Sequence, residues 1–585
     1  MSYFLRLDNK KNGVYLQMYD RFWDPVRKQA RYKSVKAFGY VHDLISDDIP
    51  DPVSYFKHYV AEEELKRKQA LLDETRPRAF QECIEKNVGY FLLSSLMDEL
   101  GVKEDIDILS SVMNFRFSIY DMIAQLIYSR VIFPCSKSKT VSSVFPRLYQ
   151  YSAMSEDQVY DGLYFVGENY KKYIELFNHQ YEKFYKRNFD QAFFDCTNYY
   201  FEIDLPKDDK QKGPSKENRK EPIIGQALLL DGDLVPLAMQ MYPGNQSEKP
   251  YIRNIIEEMK NRYKVNGKTV QVADKGLNCA RNIYAAVKEA NDGYIFSKSI
   301  HGTGLSAQEK QWILLENGAN KYKDYLDEEG NIKFRLKYCV DEFDYSFKET
   351  DEQTGKDNIV RFKVKEKRIV SYTPSLARKQ RAEITKMIEK ATNYKTYKDL
   401  TQEEIRDNAK YIKVITVDDN GKKISPKIEL NQDKIDEDLK LAGYNLIVTS
   451  EISMDPLKVY ETYHSLWKIE ECFRITKSFL DGRPVYLQTK ETIYGHFLIC
   501  YLSLFLLRVL EIKCFRNQVN SYDIIEFIRD FRIVKKDDDL YINISHNKTV
   551  NDKIKKVTGK NNLDALYLSK KEINNLFSLT SLINS

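Results

Sequence analysis

Cysteine is scarce in this chain of 585 residues: eight are scattered along it, with no Cys-x-x-Cys pair and no histidine at zinc spacing. That excludes a disulfide-stapled scaffold and a zinc-finger framework, and the eight read as reduced thiols, mostly in the core. Glycine (23) and proline (16) are too few for a collagen-like or low-complexity chain. Charge of one sign is not in excess either: 91 Lys and Arg against 86 Asp and Glu leave a net +5. A polyanion must therefore be met by local basic patches rather than by a global field. No apolar run reaches the roughly 18 to 20 residues that a membrane helix requires. The longest, 497–507, is bounded by His496 and Arg508 and reads as a buried helix. The opening residues lack the charged segment and apolar run of a signal peptide, so the expectation is a cytoplasmic protein with no membrane partner. What is present is hydrophobic residues at 42% and aromatics at 13%, over a length well beyond the roughly 250 to 300 residues at which one core stops growing. Two or more domains are expected.

The pattern changes several times along the chain. Residues 1–60 alternate in short runs, such as 14–19 and 32–38, which predicts a small β-hairpin module. Its polar face carries Arg27, Lys28, Arg31, Lys33 and Lys36, either a phosphate track or an ordinary solvated strand face. Residues 61–190 turn helical, with apolar positions recurring at three and four. Within them Pro134 breaks a helix, and Ser136 and Ser138 stand beside Lys137 and Lys139. That is either a simple cap between packed helices or a helix start facing a phosphate. Residues 191–300 hold strongly apolar strands (192–194, 223–230, 269–273), which predicts an α/β core covered on both faces. Residues 301–443 alternate and are highly charged, with a basic helix at 377–381, and read as a separate antiparallel insertion with one wet face. Residues 444–535 return to a buried strand and helices, and 536–585 form a C-terminal extension.

Three acids fall where chemistry can sit. Asp195 ends the first buried strand, in Phe193-Phe194-Asp195-Cys196-Thr197, and Asp274 ends another, in Val272-Ala273-Asp274-Lys275-Gly276. Ligands gather at strand carboxyl ends in open α/β sheets, although an acid there serves equally as a turn or cap residue. Glu470 lies on a helix predicted over 460–480, where Tyr463, Glu470 and Lys477 are spaced seven apart and stack on one face. Three carboxylates without His or Cys form an oxygen-only site that suits Mg²⁺ or Mn²⁺. Two such ions about 4 Å apart can activate an attacking oxygen and stabilise the leaving oxygen of a phosphodiester.

These residues resemble bacterial insertion-sequence transposases of the Asp-Asp-Glu type, whose catalytic domain is ribonuclease H-like. Asp195 with Thr197 is similar to the end of the family's first strand, and the block from Pro222 through Tyr242-Pro243-Gly244-Asn245-Gln246-Ser247-Glu248 is similar to its next strand pair. Ala273-Asp274-Lys275-Gly276-Leu277 resembles the surroundings of the second acid. A subgroup's Tyr-x2-Arg-x3-Glu-x6-Lys signature resembles Tyr463, Leu466, Glu470 and Lys477, with Leu466 in place of Arg. The subgroup also places a mostly β domain between its second and third acids, where the β-rich segment lies here.

The resemblance implies a ribonuclease H-like catalytic core interrupted by a mostly β insertion domain, preceded by the β-hairpin module and a helical DNA-binding region. It further implies that Asp195, Asp274 and Glu470 hold two Mg²⁺ (or Mn²⁺) ions. Tyr463 and Lys477 are then DNA contacts near the scissile phosphate, with Lys468 or Arg474 standing in for the missing signature Arg. The implied activity is nicking at transposon ends by metal-activated water, followed by attack of the 3′-hydroxyl on target DNA. The implied partners are double-stranded DNA, as terminal inverted repeats and target, and a second copy of the chain in a synaptic homodimer, nucleoid-associated when on DNA. Two alternatives share the same residues: a catalytically retired DNA-binding protein, and a metal-dependent nuclease without strand transfer.

Overall fold

The computed structural model describes residues 2–24, 28–75, 84–217, 219–301, 304–318, 320–350, 355–392, 409–417, 423–578 and 582. The chain divides into two compact units, Met1–Ile84 and Glu85–Ser585.

In the first unit, β1 (Ser2–Lys10), β2 (Gly13–Asp24) and β3 (Gln29–Tyr40) form an antiparallel meander, so the expected hairpin gains a third strand at its edge. Leu16 and Met18 of β2 are buried with Val60 of helix α1 (Pro52–Thr75). Arg67 of that helix pairs with Asp20 at 2.8 Å. The expected basic face is partly occupied by the unit's own groups. Arg31 lies 3.4 Å from Asp24, and Lys36 donates to the Tyr59 hydroxyl at 2.9 Å. Arg27 lies outside the described residues.

The second unit is built on a mixed sheet of nine strands. Helices α2 (Phe91–Leu100), α3 (Ile119–Ile132), α4 (Glu156–Glu168) and α5 (Tyr170–Glu182) come first, followed by strands β4 (Gln191–Tyr200), β5 (Ile223–Leu230) and β6 (Pro236–Pro243). Helix α6 (Lys249–Tyr263) leads to β7 (Val270–Ala273) and β8 (Gly293–Lys298). Strands β9 (Lys323–Leu326), β10 (Ile332–Thr350) and β11 (Asp357–Tyr372), helix α7 (Pro374–Thr392) and strand β12 (Tyr444–Thr449) complete the sheet region. The order across the sheet is β9-β10-β11-β12-β8-β7-β4-β5-β6, with β4, β7 and β8 parallel and every other pairing antiparallel.

All eight residues of β5 are buried, and the two-residue period sorts strand side chains onto two cores. Phe193, Tyr199, Ile224 and Leu228 face one core, into which helix α10 (Lys490–Val509) also packs. Ala192, Phe194, Cys196 and Leu229 face the other, against Ile252, Ile255 and Met259 of α6. Strands buried on both faces explain the near-continuous apolar runs in 191–300. By length and composition α10 and the turn after it would pass for a membrane span, but that whole apolar stretch is buried inside the protein.

The segment 301–443 departs from its expected form. Its long strands do not make a separate sheet: β11 pairs with β12 through Ile369↔Ile447, and β12 pairs with β8, so the insertion extends the core sheet. The alternation seen in sequence is real, because the far ends of β10 and β11 are exposed while residues 366–371 of β11 are buried beside β12. A two-stranded hairpin, Ile412–Val417 with Lys423–Leu430, does form a sheet of its own.

Candidate active site

Strands β4 and β7 lie side by side in parallel, with Phe194 paired to Ala273. Asp195 and Asp274 are the next residue of each chain segment, so adjacency in the sheet brings the two acids together where the parallel ladder stops. Asp274 follows the last residue of β7, as expected. Asp195 does not end its strand: β4 runs on to Tyr200 because β5 continues to pair with it beyond the end of β7.

Asp274 accepts hydrogen bonds on Oδ1 from the Ser297 hydroxyl of β8 at 2.9 Å and from the Tyr463 hydroxyl at 3.1 Å. Asp195 accepts on Oδ1 from the backbone N–H of Cys196 at 2.7 Å. Lys216, from the loop between β4 and β5, places Nζ 3.6 Å from Asp195 and 3.2 Å from Glu248, and donates to the Cys196 carbonyl. Burial pushes the Asp195 carboxyl up to about 6; Glu248 and Asp274 add to the rise, while Lys216 and the Cys196 N–H oppose it. Burial works against the Lys216 ammonium, but attraction to Asp195 and Glu248 prevails and its pKa rises. Glu248 also approaches the turn after Asp274, where a Cβ on Gly276 would meet Glu248 Oε1 at 2.8 Å.

Lys216 and Glu248 are therefore site residues that the sequence reading did not assign. The signal for Glu248 was its place after the Gly-Asn turn that closes β6. Lys216 stood in a Lys-rich loop with nothing to distinguish it from its neighbours.

The third acid lies on a helix that departs from the prediction. The expected single helix over 460–480 is interrupted: α8 (Pro456–His464) is followed by α9 (Trp467–Arg474) and a π turn, Ile475–Phe479. Between the two helices the backbone tightens, with N–H groups of Leu466, Lys468 and Ile469 each bonding three residues back at 3.0 Å. Tight and wide turns rotate the following side chains away from a 3.6-residue period, so seven-residue spacing no longer defines one stripe.

One end of the predicted stripe reaches an aspartate directly, Tyr463 by its bond to Asp274, while Lys477 at the other end feels the charge of Asp195. Burial and the neighbouring Lys216 push the Lys477 ammonium down to about 8, with Asp195 opposing. Its Nζ stands 3.1 Å from Glu217, which also pairs with Arg483. Burial, helped by Asp274, pushes the Tyr463 hydroxyl upwards.

Glu470 is exposed, whereas the adjacent Glu471 is buried in an ion lattice. Lys468 Nζ lies 2.9 Å from Glu471 and 3.3 Å from Glu511, and Arg508 bridges the same two acids at 3.3 and 2.7 Å. Lys468 thus neutralises buried carboxylates. Arg474 is exposed and stands 5.5 Å from the centre of the Tyr522 ring. Leu466, in the signature's Arg position, is buried in the apolar core.

For a hard divalent cation, the oxygen-only donors of Asp195 and Asp274 on adjacent chain segments fit. Glu470 is not gathered with them: among the described residues, no group of three His, Cys, Asp or Glu side chains is close enough to hold a metal. The structure therefore presents two of the three expected ligands together, with a lysine ammonium beside one of them.

Residues 200–506 match the family model described as the transposase DDE domain. No curated protein matches the chain. Among solved structures, it is similar to the piggyBac transposase in a cryo-EM synaptic complex with hairpin DNA. That likeness has 10% sequence identity, covers 85% of each chain and has a TM-score of 0.36, which is too low to bear on fold or mechanism. The family match spans more than half of the chain, and this protein belongs to the transposase DDE-domain family.

Proposed function

We propose that this protein is a DNA transposase that binds terminal inverted repeats, cleaves at the transposon ends and joins the freed 3′-hydroxyl to target DNA. The observation that carries this reading is the pairing of Asp195, just before the family-matched residues 200–506, with Asp274 inside them, with Tyr463 and Lys477 arriving from the helical segment that bears Glu470. The strand order β8-β7-β4-β5-β6, with β4, β7 and β8 parallel, supports a ribonuclease H-like core.

Asp195 and Asp274 would hold the divalent cation, Mg²⁺ or Mn²⁺, and Glu470 would complete its ligand set. When bound, two such ions supply Lewis-acid stabilisation of the attacking and leaving oxygens of a phosphodiester. The protein's own residues orient the site. Ser297 and Tyr463 fix one Asp274 oxygen, which leaves its second oxygen for a ligand. Lys477 meets a backbone phosphate as a point charge, and Arg483 beside it extends the cationic surface. Lys468 is engaged with Glu471 and Glu511, so Arg474 is the better substitute for the absent signature arginine. A homodimer on two ends completes the reading, since each end requires its own site.

The test is a labelled end duplex incubated with a target plasmid in Mg²⁺. A transposase joins the end to the plasmid, a plain nuclease cuts without joining, and a retired protein only binds. Glu470→Gln is expected to lower cleavage by at least about 100-fold, on the scale of losing an electrostatic catalytic group, while end binding stays within twofold. Retention of cutting by Glu470→Gln would remove Glu470 from the site.

A further inference from the structure

A cavity of about 270 Å³ opens where helix α3, the turn after Pro134, the segment 481–487 and helix α10 meet. Three basic side chains line it: Arg130, Lys137 and His496. They are only 6%, 6% and 4% exposed. His496 Nε2 lies 3.2 Å from the Gly482 carbonyl and Nδ1 lies 3.2 Å from Lys137 Nζ. The tautomer that satisfies both contacts carries its proton on Nε2 and accepts from the ammonium on Nδ1. Arg130 donates to the carbonyls of Leu480 at 3.4 Å and Cys135 at 3.3 Å.

The acceptors around these bases are thus neutral, and the one carboxylate lining the cavity, Asp481, is exposed to solvent. Burial pushes Lys137 well below the usual lysine range, and the Arg130 charge adds to that shift. Among the described residues no buried carboxylate lines the cavity, so the charge of Arg130 and of a protonated Lys137 is costly to bury there. An ammonium with three N–H groups and one nitrogen acceptor leaves donors unsatisfied in the cavity. The Tyr160 and Ser136 side chains add hydroxyls to the same walls.

We infer that this cavity is a binding site for a phosphate group, with Lys137 and Arg130 as its cationic wall. Phosphate supplies what is missing here, compact negative charge and several strong acceptors, and charge-assisted bonds to it are short and strong. The group can belong to a DNA backbone or to free phosphate. The first source rests on the transposase reading. Its support is continuity of the chain: the wall residues Asp481 and Pro484 to Leu487 follow the π turn that carries Lys477, and Arg483, next to Pro484 in sequence, shares Glu217 with Lys477. A strand lying along Lys477 and Arg483 would run beside the cavity mouth.

The test uses the full chain and two probes. Inorganic phosphate is titrated against the melting temperature at constant ionic strength, with chloride as the control. The unaltered protein is expected to show a saturable upward shift. Lys137→Met is expected to abolish it or to raise the half-maximal concentration at least tenfold, while melting no lower than the unaltered protein without phosphate, because a buried unpaired charge is gone. Lys137→Gln, which keeps a donor toward His496, guards against a packing defect in the first variant and is expected to lose the shift as well. The second probe is an end duplex followed by fluorescence anisotropy. A loss of duplex affinity of threefold or more in both variants assigns the site to backbone phosphate; unchanged duplex affinity with a lost phosphate shift assigns it to free phosphate. Equal phosphate shifts in all three proteins, or no shift beyond chloride in the unaltered one, overturn the proposal. The phosphate arm needs no cutting or joining, so failure of the transposase reading leaves it decidable.

Discussion

Single side chains in this protein are governed by what surrounds them more than by type. Asp438, 1% exposed, is surrounded by His301 and Lys434 at 3.0 Å, Tyr411 at 2.8 Å and Lys410 at 3.3 Å. Burial alone would raise its pKa, but hydrogen bonds from Lys434 and Tyr411 and the nearby His301 prevail and hold it at about 2. The folded value is depressed below the unfolded one, near 3.9. Its contribution to stability is therefore complete above roughly pH 4 and is lost as pH falls towards 2. Asp438→Asn is expected to loosen residues 431–441 at pH 7, measured by hydrogen exchange, and to differ little from the unaltered protein near pH 2. Around Asp195 burial raises the carboxyl pKa, Lys216 opposes the rise and Glu248 adds to it. Glu248→Gln removes a carboxylate that shares Lys216 with Asp195, leaving that ammonium to Asp195 alone. It is expected to raise the Mg²⁺ concentration for half-maximal cleavage several-fold with little change in melting temperature, both read by titration.

Elements are positioned by close backbone approach and by buried charge. Helices α4 and α10 touch through a reciprocal pair of glycines. A Cβ on Gly495 would lie 2.2 Å from the Leu163 carbonyl oxygen, and one on Gly167 would lie 1.7 Å from that of Glu491. Backbone atoms cannot yield as a side-chain tip does, so Gly495→Val is expected to cost at least about 1–3 kcal/mol by forcing the helices apart. Urea denaturation measures it. Helix α9 is pinned to α10 through Arg508, Glu471 and Glu511, and this fixes which glutamate faces out. Helical period alone cannot distinguish neighbours in sequence once a tight turn and a π turn interrupt the helix. Glu471 is bound into the interior and Glu470 is left at the surface.

At the scale of the whole molecule, the first unit has its own sheet and small core, and the second is unified by the nine-stranded sheet. A chain lacking residues 1–84 is expected to keep a cooperative melt of the remaining unit, followed by circular dichroism. Because the insertion strands hydrogen-bond directly to β12, removing residues 321–372 would strip a core strand of one partner. Such an unpaired edge invites association between chains.

Composition and periodicity alone determined much of this: an α/β core with strands buried on both faces, alternating strands in the insertion, and two aspartates at sheet positions. Those features depend on neighbours a few residues apart, whose two-residue and 3.6-residue periods are written in the chain. Tertiary structure decided the rest. It joined β11 to the core sheet, ran β4 past Asp195, broke the helix before Glu470, and brought Lys216 and Glu248 to Asp195 and Lys137 to His496. Each of these depends on hydrogen-bond partners and charges far away in sequence, and no local pattern records which distant group will arrive.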